Sequence, residues 1–167
     1  MQNELSVNRP NKFWIWLGCV ALTLGVGTLS GFLSGAFGGY EGINMPSFAL
    51  PTWVYSVVWT VLYVMIGWAL YLVIACKPTN ETERRIKTAT ISLWAIQFAL
   101  NLLWPFVFFN LDYTVAFVIN ALMFAVTTSL VSTCFFIRPA SAIMLLPYWL
   151  WMMFAAFQTL MIIVLNV

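Results

Sequence analysis

Polar and apolar residues are segregated along this chain into blocks rather than interleaved. Uncharged runs extend over 13–40, 42–76, 88–111, 113–137 and 139–167, separated by single charges or short charged clusters. Each run is at least as long as the ~20 residues an α-helix needs to cross a bilayer. The runs do not alternate polar and apolar side chains as membrane barrel strands do. The pattern predicts an all-α fold, an integral membrane bundle of five transmembrane helices at about 13–34, 52–75, 88–109, 113–136 and 141–164, forming one domain. The first run is longer than the apolar core of a signal peptide and lacks a clear small-residue cleavage site, so it reads as a membrane helix.

The connections fit this division. "GAFGGYEGINMPSFALP" (35–51) is rich in Gly and Pro and makes the one long link, while "KPTNETERRIK" (77–87) is a polar turn with a helix cap expected near Thr79 or Asn80. "FNLDY" (109–113) and "RPAS" (138–141) leave room only for tight hairpins. Pro105 and Pro147 fall inside spans, which bundles tolerate where neighbours satisfy the freed carbonyls. With five spans, all seven basic residues (Arg9, Lys12, Lys77, Arg84, Arg85, Lys87 and Arg138) share one side, and the other holds only Glu41 and Asp112. The positive-inside rule places the N-terminus in the cytoplasm and the C-terminus outside.

Composition agrees. The 167 residues are 63% hydrophobic and 7% charged, too little charge to cover a soluble domain. A net charge of +2 without a basic patch gives no reason to expect nucleic acid as a partner; membrane lipid is the expected surroundings. The chain has no histidine, which removes the commonest general base and metal ligand. Cys19, Cys76 and Cys134 are isolated and read as packing residues, so no metal site is expected. No Asp, Glu, Lys or Arg lies within the five cores, which argues against a proton-driven transporter.

What the spans carry instead is aromatic and amide side chains at helical spacing. Tyr55, Trp59 and Tyr63 recur every fourth residue in the second span; Trp94, Gln97, Asn101, Trp104 and Phe108 share a face of the third, and Tyr148, Trp151, Ala155 and Gln158 a face of the fifth. Turned inward, these faces would wall a cavity with a few hydrogen-bonding groups, the usual anatomy of a small-molecule site. Packing remains the competing reading for Trp59, Trp104 and Trp151, and helix joining for Gln97 and Asn101. Trp14, Trp16, Trp53 and Trp149 read as interfacial belt residues. Gly27, Gly31 and Gly35 in "GTLSGFLSG" form overlapping GxxxG steps, a close-packing device within one chain or between two copies.

Three segments, "PSFALPTWVYSVVWTVLYVMIGWALYL" (46–72), "LNLLWPFVFF" (100–109) and "LLPYWLWMMFA" (145–155), resemble the TspO/MBR family, the tryptophan-rich sensory proteins of bacteria related to the mitochondrial translocator protein. The resemblance spans all five predicted helices. It implies a bacterial cell membrane, a homodimer in many members, no cofactor, and a pocket for porphyrins or other hydrophobic small molecules capped by the loop at about 35–51. Position by position, it points to Trp59 in "VWxxLY", Asn101 and Trp104 in "LNxxW", Trp151 in "PYxxW" and Tyr40 in the loop. With the helical faces, the candidate ligand-binding residues become Tyr40, Trp59, Tyr63, Gln97, Asn101, Trp104, Phe108, Tyr148 and Trp151. In some bacterial relatives the counterparts of Trp59 and Trp151 are implicated in light-dependent porphyrin degradation; these are the catalytic candidates if that reaction occurs. A third reading is regulatory, with the basic 84–87 segment meeting a partner protein.

The chain departs from the family pattern at several places. Met45, Phe48 and Leu50 replace Lys, Trp and Pro, Gly39 stands where a loop Trp is expected, and Gln158 and Thr159 replace Leu and Asn. The C-terminal "VLNV" lacks the sterol segment of animal members, so sterol binding is not implied.

Overall fold

The computed structural model describes residues 12–110 and 112–166. Five helices form: α1 (Lys12–Leu33), α2 (Thr52–Ala75), α3 (Glu81–Phe109), α4 (Tyr113–Ile137) and α5 (Pro139–Leu165). A single 3-10 turn at Ala36–Gly38 interrupts the α1–α2 loop, and the described residues contain no strand. Each helix is long and apolar enough to cross a membrane. At 1.5 Å per residue, the 22 residues of α1, the shortest, reach about 33 Å, matching a hydrocarbon core of ~30 Å. The chain is an integral multi-pass membrane protein. Arg9, one of the seven basic residues behind the predicted orientation, lies outside the described residues.

Helix ends follow from local chemistry. α3 begins at Glu81, two turns before the uncharged run at 88, because a cap and not the charge boundary starts it. Asn80 Oδ1 accepts from the Glu83 amide at 2.9 Å, and the Glu83 carboxylate reaches back to the Thr79 amide at 2.7 Å. Asp112 caps α4 by accepting from the Val115 amide at 3.1 Å. Pro139 opens α5, where its missing N–H costs nothing. Lys87 Nζ donates to the carbonyls of Ile74 and Cys76 at 2.8 and 2.7 Å, so a cation covers the negative end of α2. Arg84 and Arg85 pair with Glu81 in solvent.

The helices close a ring in the spatial order α1, α2, α5, α4, α3, with the α1–α3 seam the loosest. Where α1 meets α2, Gly67 lets the backbones touch: a Cβ there would sit 2.7 Å from the Cys19 carbonyl oxygen and 2.7 Å from Val20 Cα. Thr23 Oγ1 donates to the Tyr63 carbonyl at 2.7 Å across the same contact. Ser30 Oγ ties α1 to the Leu102 carbonyl of α3, and Ser141 Oγ ties α5 to the Ala69 carbonyl of α2. Small residues and interhelical hydroxyl bonds are what a bundle uses where lipid removes the hydrophobic drive between helices.

The GxxxG steps split by role. Gly27 serves contact within the chain, since a Cβ there would fall 2.3 Å from the Tyr63 ring; Gly31 faces Phe37 at 3.6 Å; Gly35 has left the helix with φ +82°. Outward surfaces are aliphatic and aromatic: Trp14 and Trp53 are exposed, while Trp16 and Trp149 are half-buried.

Candidate functional site

A cavity of about 220 Å³ lies between α1, α2 and α3 beneath the α1–α2 loop. Its α2 wall is the stripe Tyr55, Trp59 and Tyr63; Asn101 and Trp104 face it from α3, and Tyr40 enters from the loop. Gly27, with the Tyr63 ring packed against it, and Gly31, next to Phe37, form the α1 side. A cleft of about 20 Å³ lies on the α5 side of the same aromatic wall. Tyr40, Trp59 and Trp104 line it as well, joined by Phe108 and Trp151.

Gln97 and Tyr148 line neither space. They are fully buried behind it and orient the residues that do. Tyr63 donates its hydroxyl to Asn101 Oδ1 at 3.0 Å, and Asn101 Nδ2 and Gln97 Nε2 donate to the Tyr148 hydroxyl at 3.3 and 2.6 Å. Tyr148 turns its own proton toward Met123 Sδ at 3.9 Å. The network fixes which way the Asn101 amide points, because both of its polar atoms are engaged. Trp104 is held similarly: its Nε1 donates to the Ala116 carbonyl at 3.0 Å, and its ring stacks on Phe108 with centroids 4.7 Å apart.

Ring geometry across the wall is offset or edge-on, as π quadrupoles prefer. Trp59 lies 5.5 Å from Tyr63 and meets Trp151 edge to face at 6.4 Å. Tyr40 packs 5.0 Å from Tyr55 and 6.0 Å from Phe108. Burial pushes the Tyr40 phenol above its ordinary value, with Tyr55 adding to the shift. It therefore stays protonated and neutral at physiological pH. Among the described residues, those lining the cavity include no carboxylate, amine or guanidinium, so they can stack, exclude water and form neutral hydrogen bonds, but offer no strong acid or base.

Tyr55 lines both spaces as its place in the α2 stripe predicts, although it is not among the candidate binding residues. Its hydroxyl accepts from the Leu50 amide at 3.2 Å and donates to Gln158 Oε1 at 3.0 Å. Gln158, a departure from the family pattern, thus has a specific partner. Phe48, another departure, stacks on Phe157 of α5 at 5.1 Å and anchors the loop over the bundle. The hydroxyl residues Thr28, Ser56 and Thr60 also border the cavity. Each is an unremarkable polar residue in an apolar run, and nothing in the sequence marks it.

Five membrane-spanning helices around an aromatic-walled cavity under a loop define a polytopic membrane protein with an internal cavity. The TspO/MBR family model matches residues 19–165, and the chain belongs to that family. It is 30% identical over 152 residues to the tryptophan-rich protein TspO of Chlorobaculum tepidum, covering 89% of this chain and 93% of that protein. The TspO protein of Archaeoglobus fulgidus is 30% identical over 127 residues, covering 76% and 79%. The translocator protein of Sus scrofa is 31% identical over 148 residues, covering 84% and 85%.

Proposed function

We propose that this protein is a membrane receptor or carrier for porphyrins and related flat hydrophobic molecules, bound at the aromatic wall beneath the α1–α2 loop. One observation carries this reading: the Tyr55–Trp59–Tyr63 stripe of α2 faces Asn101 and Trp104 across an aromatic-walled cavity that Tyr40 borders from the loop. A tetrapyrrole offers the extended π face that such rings stack upon. Burying it removes apolar area at roughly 25 cal/mol per Å², before ordering costs. Its carboxylates would stay at the loop or the headgroups, since the described lining residues include no cation. The lipid environment is a bacterial cell membrane, with the N-terminus in the cytoplasm.

Titration of purified protein with protoporphyrin IX, followed by tryptophan fluorescence, tests the reading. Quenching is expected, and it should weaken about tenfold in apparent affinity in the Trp59→Phe/Trp151→Phe variant, on the scale of one or two lost aromatic contacts. Quenching absent in the wild type, or unchanged in the variant, rejects it.

A second reading, light-dependent porphyrin degradation, would rest on Trp59 and Trp151, which meet edge to face at the same wall. Illuminating the complex and following the porphyrin absorbance band decides: bleaching no faster than free porphyrin in detergent excludes catalysis.

A further inference from the structure

The cavity of about 220 Å³ is smaller than the ~300–1,000 Å³ that pockets for drug-sized ligands occupy, and a porphyrin belongs at that larger scale. The cleft beside it holds about 20 Å³ more. Four residues border both spaces: Tyr40, Tyr55, Trp59 and Trp104. Room for a large guest therefore depends on whether one of these side chains can leave the wall.

All four pack against neighbouring rings. Trp104 is stacked on Phe108 and bonded to the Ala116 carbonyl. Trp59 is flanked by Tyr63, Tyr148 and Trp151. Tyr40 is set among Tyr55, Phe108 and Phe109. Tyr55 packs against Tyr40 and Trp151 too, but its hydroxyl, alone among the four, joins α5 to the loop, through Gln158 and the Leu50 amide. It also sits in the first turn of α2, directly after the loop, where backbone adjustment is least constrained.

We propose that the Tyr55–Gln158 pair is a partition that sets the size of guest the site admits. With the bond intact, the two spaces are separate and the larger suits a small guest. When the bond breaks and the Tyr55 ring swings aside, the spaces join and gain the volume of the ring, giving a slot for a tetrapyrrole. Porphyrin binding then includes the cost of the broken bond, and Gln158, which touches only the smaller cleft, becomes a specificity-determining residue. This inference builds on the proposed site and on its porphyrin ligand.

The test compares wild type, Tyr55→Phe and Gln158→Leu in lipid nanodiscs, measuring protoporphyrin IX affinity by calorimetry and thermal stability in the absence of ligand. Each substitution removes the bond and preserves side-chain bulk. Porphyrin affinity is expected to rise about two- to tenfold in both variants, the range of one net hydrogen bond, while the unfolding temperature stays level or falls. A purely structural role for the bond cannot produce tighter binding from a protein no more stable. Affinity that stays level or drops in either variant overturns the partition. Variants that bind where the wild type does not would support the partition and reject the porphyrin as a ligand of the native protein; binding by none of the three rejects both.

Discussion

Two glycines on facing helices show how differently one added methyl group can act. At Gly67 a Cβ meets backbone, the Cys19 carbonyl and Val20 Cα, so α1 and α2 must separate. Gly67→Ala is expected to lower stability by about 1–3 kcal/mol, the usual cost of overpacking, read as a fall in unfolding temperature in detergent. At Gly27 the nearest atoms to the new one are those of the Tyr63 side chain, which must shift in place of backbone. Turning it strains the Tyr63–Asn101 bond, so Gly27→Ala should weaken porphyrin quenching more than it lowers stability. The sequence makes this pair only half legible. Gly27 stands out through its GxxxG spacing, whereas Gly67 is a lone glycine in "VMIGWAL", and only the approach of another helix gives it meaning. Tyr63 and Asn101 are readable as members of inward faces. That Tyr148 and Gln97 stand behind the site and not in it depends on how deep each helix sits, which spacing along one helix does not encode.

For the helices themselves, hydropathy finds the membrane-compatible stretch and capping finds the true end, and the two need not coincide. α2 starts where its span is predicted to start, at Thr52, ten residues into the uncharged run that begins at 42. α3 runs two turns beyond its apolar run, because the Asn80 and Glu83 cap lies upstream of the charges that interrupt it. Charged residues are good helix formers outside the bilayer. Asn80→Ala is expected to destabilise the first turns of α3 by about 0.5–2 kcal/mol, visible as faster amide exchange over 81–87 with little change in the buried turns beyond Thr90. Lys87 gives a related test at the neighbouring helix end. Lys87→Met keeps the apolar stem and removes the ammonium from the Ile74 and Cys76 carbonyls, so exchange should rise at the last turn of α2.

The whole molecule combines a ring of helices with a loop pinned across one end. Its charge asymmetry is a global property read straight from the sequence, and it predicts that a cysteine at Glu41 is labelled from outside the cell and one at Thr82 only after permeabilisation. The pinning of the loop is not readable, because it joins residues more than a hundred positions apart. Asn44 donates its amide to Asn166 Oδ1 at 2.9 Å, and Asn166 Nδ2 returns a bond to the Asn44 carbonyl at 3.0 Å, fastening the loop to the end of α5. Phe48 on Phe157 adds an apolar clasp. The loop also supplies Ala36, Phe37 and Tyr40 to the cavity wall, so a guest leaving on that side must displace it. Asn166→Ala removes these two loop bonds to Asn44, with the Asn166 side-chain bond to the Ile162 carbonyl, without touching a lining residue, and leaves the Asn44 side chain on the Leu165 carbonyl. Losing two exposed hydrogen bonds, each worth about 0.5–1.5 kcal/mol at most, should speed porphyrin release about threefold or more in a stopped-flow chase. Entry passes through the same opened loop, so association should quicken in proportion and leave the equilibrium affinity nearly unchanged. A variant that loses affinity while its release rate alone rises would show that the loop contributes contacts to the bound guest and is not simply a cover over it.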